Sequence, residues 1–133
     1  MVRLLGILFT QEADFTPDPS KQERALRQIL AHSDSGTLLV ARQASGAVIG
    51  MVSLLYLIST ACGGRVALLE DLVVDPALRG GGIGQLLVDA AIAHAEAVGC
   101  HRITLLTDND NHAAQRFYAR AGFRPSAMRV LRR

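Results

Sequence analysis

A chain of 133 residues is long enough to bury a real core and too short for two ordinary domains, so a single domain over residues 1–133 is expected. Half of the residues are apolar and a fifth are charged, a globular composition that excludes the disordered class. The formal charge of +2 argues against a nucleic-acid binder held mainly by phosphate contacts, while a mild basic bias suits a small anionic ligand.

Residues 2–13 carry Leu4, Leu5 and Leu8 followed by polar positions and read as a short helix. Its length excludes a membrane span, which needs roughly 20 apolar residues, and its pattern is amphipathic rather than secretory. Residues 14–19, with Pro17 and Pro19, break it. Ser20 as N-cap with Glu23 three positions on then predicts a second helix to about His32, with Ala25, Leu26, Ile29 and Leu30 on one face.

Residues 37–42 read as a strand, Ala44-Ser45-Gly46 as a hairpin turn, and residues 48–58 as the returning strand. After a turn at Gly63-Gly64, residues 66–74 form a strand that is apolar on both faces except for Glu70 and Asp71, the pattern of a sheet interior. From Ile83 the period becomes helical, with Ile83, Leu86, Leu87, Ala90, Ala93 and Ala97 on one stripe and Gly99 as the stop. Residues 102–107 predict a strand, residues 111–121 a helix stopped by Gly122, and residues 126–131 a last short strand.

The most informative stretch is the turn Arg79-Gly80-Gly81-Gly82-Ile83-Gly84-Gln85, which joins a strand to a helix. Helix N-termini present unpaired N–H donors and a partial positive charge, so an anion bound there satisfies both. The first helical turn contains no Ser, Thr, Asp or Glu to cap it from within, a place a phosphate would fill. The ATP-binding loop requires Gly-Lys-Ser/Thr, whereas this one ends Gly84-Gln85-Leu86. The dinucleotide fingerprint also fails, because Gln85 stands where its third glycine belongs. A tight turn without ligand is the plain alternative.

The pattern from Arg79 to Gly84 is Arg-x-x-Gly-x-Gly after a strand, preceded by Glu70-Asp71-Leu72-Val73-Val74-Asp75-Pro76. It is followed by Asn111-His112-Ala113-Ala114-Gln115-Arg116-Phe117-Tyr118 and Gly122-Phe123. With these motifs in this order, the chain resembles the GNAT superfamily of acetyl-CoA-dependent N-acetyltransferases over nearly all of residues 36–129. The resemblance implies an α/β (α+β) fold with a central mixed, mostly antiparallel sheet flanked by helices. It implies acetyl-CoA as co-substrate, with its pyrophosphate on the amides of Arg79, Gly80, Gly81, Gly82, Ile83, Gly84 and Gln85. The pantetheine arm would run beside Leu72, Val73 and Val74 like an added strand, at an edge opened by splaying from residues 102–107, with a bulge near Val73 or Val74.

Asn111, Ala114 and Tyr118 are spaced to line one helix face, which the resemblance turns towards the pantetheine. Acetylation of a primary amine requires one base, since the amine has a pKa of about 10, and one acid for a thiolate of pKa about 8.5. Tyr118 is the candidate acid; otherwise it is a core tyrosine. Glu70 is preferred over Asp71 as base because plain strand alternation puts it on the face of Leu72 and Val74, although a bulge would exchange the faces. Either carboxylate alternatively pairs with an arginine. Direct transfer needs no covalent intermediate, so neither Cys62 nor Cys100 is required as a nucleophile. Two cysteines in unrelated contexts and no signal-peptide pattern point to free thiols in the cytoplasm.

His32, His94, His101 and His112 have no metal-ligand spacing and read as surface or helix-end residues, so no metal is expected. Relatives of this kind begin with a strand ahead of the first helix. This chain begins inside that helix, so either the strand is lost or the true start lies upstream, and the strand at residues 37–42 is expected to lack an outer neighbour. An exposed edge of that kind favours a homodimer. Glu12 and Asp14 are candidates for holding a cationic acceptor amine. The competing reading is a non-catalytic acyl-CoA-binding or regulatory module of the same fold.

Overall fold

The computed structural model describes residues 1–11 and 15–133. In chain order the elements are α1 (Val2–Gln11), α2 (Pro19–Ala31), β1 (Gly36–Arg42), β2 (Val48–Ser59) and β3 (Gly64–Val74). A 3-10 turn (Pro76–Leu78), α3 (Ile83–Ala97), β4 (Ile103–Leu105) and α4 (His112–Arg120) complete the chain. The sheet has the order β1-β2-β3-β4; β1, β2 and β3 form an antiparallel meander, and β4 lies parallel to β3 across the α3 connection. This is the expected mixed, mostly antiparallel sheet. Among the described residues nothing pairs with the outer side of β1, as the sequence suggested.

Helices cover both faces. On one, Leu87, Ala91 and Ala95 of α3 pack on Val52, Leu54, Ala67 and Leu69; on the other, Leu4 and Leu5 of α1 and Leu26 of α2 pack around Met51 and Val73. Alternation along β2 explains the division, because Val52 and Leu54 point to α3 while Met51 and Ser53 point to α1. The close approach of β1 to β2 leaves no room for a side chain at Gly36, where a Cβ would stand 2.5 Å from the Leu54 carbonyl oxygen and 3.3 Å from Ile29 Cγ2 of α2. Gly36→Ala should therefore destabilise the chain by about 1–3 kcal/mol, read as a fall in Tm.

Four local expectations are corrected. The N-cap of α2 is Asp18, whose carboxylate accepts the Ser20 and Lys21 N–H groups at 3.0 and 3.3 Å, while Gln22 accepts the Asp18 N–H at 3.0 Å. Pro19, lacking an N–H, fits the first helical position and so pushes the cap one residue ahead of it; Glu23 pairs instead with Arg27. The buried stripe of α3 is Leu87, Val88, Ala91 and Ala95, leaving Leu86, Ala90, Ala93 and Ala97 exposed. So many of its positions are apolar that periodicity admitted a rotated face. The strand β4 is three residues rather than six, and residues 126–131 form no strand, with Met128, Val130 and Leu131 exposed. A strand pattern becomes a strand only where a neighbour supplies its ladder of hydrogen bonds. Glu12 and Ala13, the last two residues predicted for the first helix, and Asp14 lie outside the described residues.

Candidate functional site

The centre of the site is an irregularity in β3. Ser53 pairs with Glu70 and Met51 with Val73, so Asp71 and Leu72 together stand opposite Val52: a β-bulge. Asp71 has φ +54°, making it the one non-glycine with positive φ among the described residues. The Ser53 hydroxyl, 1% exposed, lies 3.1 Å from Asp71 Oδ2 and 3.0 Å from the Glu70 carbonyl oxygen, and donates across the bulge. The extra residue resets the alternation. Ala67 and Leu69 face α3 before it, Leu72 and Val74 face α3 after it, and Glu70, opposite Ser53, faces α1 with Val73.

Two expectations change as a result. The bulge sits at Asp71 and Leu72 rather than near Val73 or Val74, and Glu70 is on the face opposite Leu72 and Val74 rather than sharing it. Partial burial pushes the Glu70 carboxyl above its ordinary pKa, with the neighbouring Asp71 charge adding to the rise. Burial likewise raises Asp71, against the opposing pull of its Ser53 hydrogen bond. Among the described residues no cation pairs with either carboxylate; the single charged side chain of α1, Arg3, bonds Asp75 at 2.9 Å.

Beyond the bulge β3 runs on without β4. Their parallel ladder ends at Leu69 and Leu105, five residues short of Val74, the end of β3. The Asp75 N–H donates to Ile49 of β2 at 2.8 Å, so the carbonyl of the same peptide, that of Val74, points away from β2 to the open edge. Arg79 Nε donates to it at 3.1 Å. Strand alternation turns the N–H of Val74 and both backbone groups of Leu72 to that edge, and those of Val73 to β2.

The glycine turn begins where this edge ends. Asp75 accepts the Ala77 N–H at 3.1 Å and the Arg3 guanidinium, which hold its carboxyl below the ordinary range, the backbone bond first. Gly80 and Gly82 then take φ +84° and +83°, values open to glycine at no steric cost. Gly82 is the N-cap of α3, and no side chain caps it; the first helical bond is Leu86 N–H to the Gly82 carbonyl at 3.0 Å. The N–H groups of Ile83, Gly84 and Gln85 thus have no acceptor within the helix. Gln85 turns its side chain to Asp89 at 2.8 Å.

Helix α4 docks at this same end. A Cβ on Gly84 would stand 3.6 Å from the Phe117 ring, so glycine lets the two helices close on each other. Tyr118 packs edge-on between Phe117 and Phe123, with centroids at 5.2 and 5.9 Å, and against the same apolar cluster as Leu72, Val74 and Ile83. Asn111 is not on the face of α4 but is its N-cap, with Oδ1 accepting the Ala114 N–H at 3.0 Å. Ala114 and Tyr118 are one turn apart on the helix itself. Leu72, Val74, the loop and Tyr118 are thereby gathered on the α3 side of the open edge, and Glu70 on the α1 side. Ser53 was missed in the sequence; a lone serine within an apolar strand, facing a lone Asp-containing stretch, was its signal.

Among the described residues no group of three or more His, Cys, Asp and Glu is placed to hold a metal ion, and no helix is long and apolar enough to cross a membrane. His32, His101 and His112 are exposed. His94 is half-buried in the last turn of α3 and meets Thr37 Oγ1 at 3.1 Å, which in turn meets the Tyr56 hydroxyl at 2.8 Å.

The chain is 33% identical over 115 residues to glucosamine 6-phosphate N-acetyltransferase 1 of Oryza sativa subsp. japonica, covering 81% of this chain and 67% of the relative. It is 33% identical over 89 residues to the glucosamine 6-phosphate N-acetyltransferase of Trypanosoma brucei brucei, covering 66% of this chain and 58% of that protein's length. The fold superimposes on the crystal structure of glucosamine-6-phosphate N-acetyltransferase from Arabidopsis thaliana with a TM-score of 0.78 at 21% identity, over 100% of this chain and 88% of that one. With residues 5–123 matched by the model of the Acetyltransferase (GNAT) family, the chain belongs to that family.

Proposed function

We propose that the chain transfers an acetyl group from acetyl-CoA to a primary amine, by direct attack of the amine on the thioester. The observation that carries this reading is the uncapped N-terminus of α3 at Gly82, set at the end of an unpaired β3 edge. The first suits a pyrophosphate and the second an amide-containing arm, which are the two parts of CoA remote from its sulfur. Arg79, Gly80, Gly81, Gly82, Ile83, Gly84 and Gln85 would hold the former, and the open-edge backbone of Leu72 and Val74 the latter, Val73 between them being paired to β2, with Asn111, Ala114 and Tyr118 beside it.

The two sheet faces meet at the open edge. Glu70, on the α1 side, takes the proton that the ammonium must lose; the amine nitrogen then bonds the acetyl carbonyl carbon. As the carbon–sulfur bond breaks, Tyr118, from the α3 side, gives its proton to the departing thiolate, and the second proton shed by the acylated nitrogen restores the Tyr118 hydroxyl through solvent. The names of the relatives make glucosamine 6-phosphate the first acceptor to test. Two half-buried cysteines without a disulfide support a reducing compartment such as the cytoplasm, and the unpaired edge of β1 supports a homodimer.

The test is calorimetric titration of acetyl-CoA against wild type, Gly82→Asp and Gly82→Asn. A Cβ at Gly82 meets nothing within 4 Å, so either side chain projects into the proposed pyrophosphate site and not into the core. Asn and Asp make a similar demand on the left-handed backbone, and differ in charge. The expectation is tenfold or greater loss of affinity in the Asp variant relative to the Asn variant, about what one repelled charge costs. Absence of binding by wild type would refute the reading.

A further inference from the structure

Asp71, the one non-glycine with positive φ among the described residues, stands between the proposed base and the proposed cofactor edge. We infer that Asp71 is a positioning residue whose left-handed backbone, tied down by the Ser53 hydroxyl, sets Glu70 on one face of β3 and Leu72 and Val74 on the other. The inference rests on the functional reading above and adds to it a residue that neither donates nor accepts the reacting proton.

Register supports this directly. Side chains alternate with a period of two, so a regular β3 would put Glu70, Leu72 and Val74 on one face and Asp71 with Leu69 on the other. That face is the apolar α3 cluster, where an aspartate has no partner. One extra residue resolves both conflicts: it moves Leu72 and Val74 onto the apolar cluster and leaves Glu70 opposite Ser53. Conformational preference supports it as well. Aspartate enters the left-handed region more readily than other side chains with a Cβ, because its short carboxylate bonds locally. Here the donor is a serine that is itself buried on β2, so the bulge is bonded across to the neighbouring strand. The same hydroxyl reaches the Glu70 carbonyl, which ties both residues to one point.

This role separates backbone from charge, and three variants of the full chain read the two apart. Asp71→Gly and Asp71→Ala both remove the carboxylate and differ by one methyl at φ +54°. Asp71→Asn keeps left-handed tolerance and an oxygen for Ser53. The measurement is KM for acetyl-CoA and kcat, with Kd by calorimetry and Tm for each variant. Asn and Gly should keep acetyl-CoA KM within about threefold of wild type, and Ala should raise it about fivefold or more, the ratio set by the left-handed cost of a Cβ. An Ala variant that fails to fold beside a folded Gly variant assigns the left-handed residue to stability alone and overturns the inference. In Asp71→Asn, loss of the adjacent negative charge should move the acid limb of the kcat/KM profile to lower pH, because Asp71 raises Glu70 and Arg3, the charged side chain of α1, is engaged by Asp75. Equal KM values for Gly and Ala, with only Tm separating them, overturn the inference. So does a collapse of kcat in Asp71→Asn, which would make Asp71 the base. Wild type failing to bind acetyl-CoA would remove the functional reading and this inference together; wild type binding while Gly and Ala behave alike removes the inference alone.

Discussion

Glu70→Gln should lower kcat/KM for amine acetylation by about 10²–10³ while the chain remains folded, the range in which a positioned general base contributes. Glutamine keeps the size of the side chain and cannot take the ammonium proton. The pH dependence gives the sharper test. Burial, and then the charge of Asp71, hold the Glu70 carboxyl above its ordinary pKa. A base works when deprotonated, so kcat/KM of the wild type should rise with pH through that raised value, and the limb should vanish in Glu70→Gln. Stability should move the other way. A carboxyl whose folded pKa is raised binds protons more readily in the folded chain than in the unfolded one. Its contribution is fully present below the unfolded pKa and is lost as pH rises through the folded pKa. At neutral pH the Gln variant escapes the cost of a partly buried charge, so its Tm should equal or exceed that of wild type. A large fall in Tm accompanying the lost activity would assign Glu70 to structure and leave the base unidentified.

Tyr118→Phe should reduce kcat by about 10² with acetyl-CoA KM little changed. The ring of Tyr118 is held edge-on by Phe117 and Phe123 and against the α3 cluster, contacts that phenylalanine reproduces. Only the hydroxyl is lost. A thiolate of pKa about 8.5 departs more easily when a proton is delivered to it, and that delivery is the assigned work of the hydroxyl. The effect should shrink with an acyl donor whose thiol is more acidic, because a better leaving group needs less help. Unchanged kcat in Tyr118→Phe would place the acid elsewhere and leave Tyr118 as packing between α4 and the sheet. Single-turnover measurements would show the same difference if product release limits the steady state.

Much of this was readable from the chain. Four of the five strands expected from turn residues and apolar runs are present, and all four helices are, with the glycine turn placed between β3 and α3 as the sequence required. These are local decisions. Gly80 and Gly82 adopt conformations that few other residues tolerate, Pro19 fits the first position of a helix, and apolar runs such as β1 and β2 need neighbours that the adjacent hairpin supplies. The absence of a capping side chain at the start of α3 was likewise a property of the residues themselves, and the structure retains it.

What the chain alone left open was every choice between near-equal alternatives. In α3 the apolar residues surround much of the helix, so the stripe that is buried was settled by the sheet it packs on. The residues 126–131 carry a strand pattern but find no ladder among the described residues. Above all, Glu70 changed faces. Periodicity counts residues, and one bulge residue at Asp71 shifts the count by one; its hydrogen-bond partner is Ser53, 18 positions earlier, reaching across from β2. The sequence by itself determined the elements, the glycine turn and the family of folds, because those rest on torsional limits and short-range patterning. Tertiary structure decided the register of β3 and hence which face carries the carboxylate, because a hydrogen bond between strands and a buried apolar face are energies that no single segment contains.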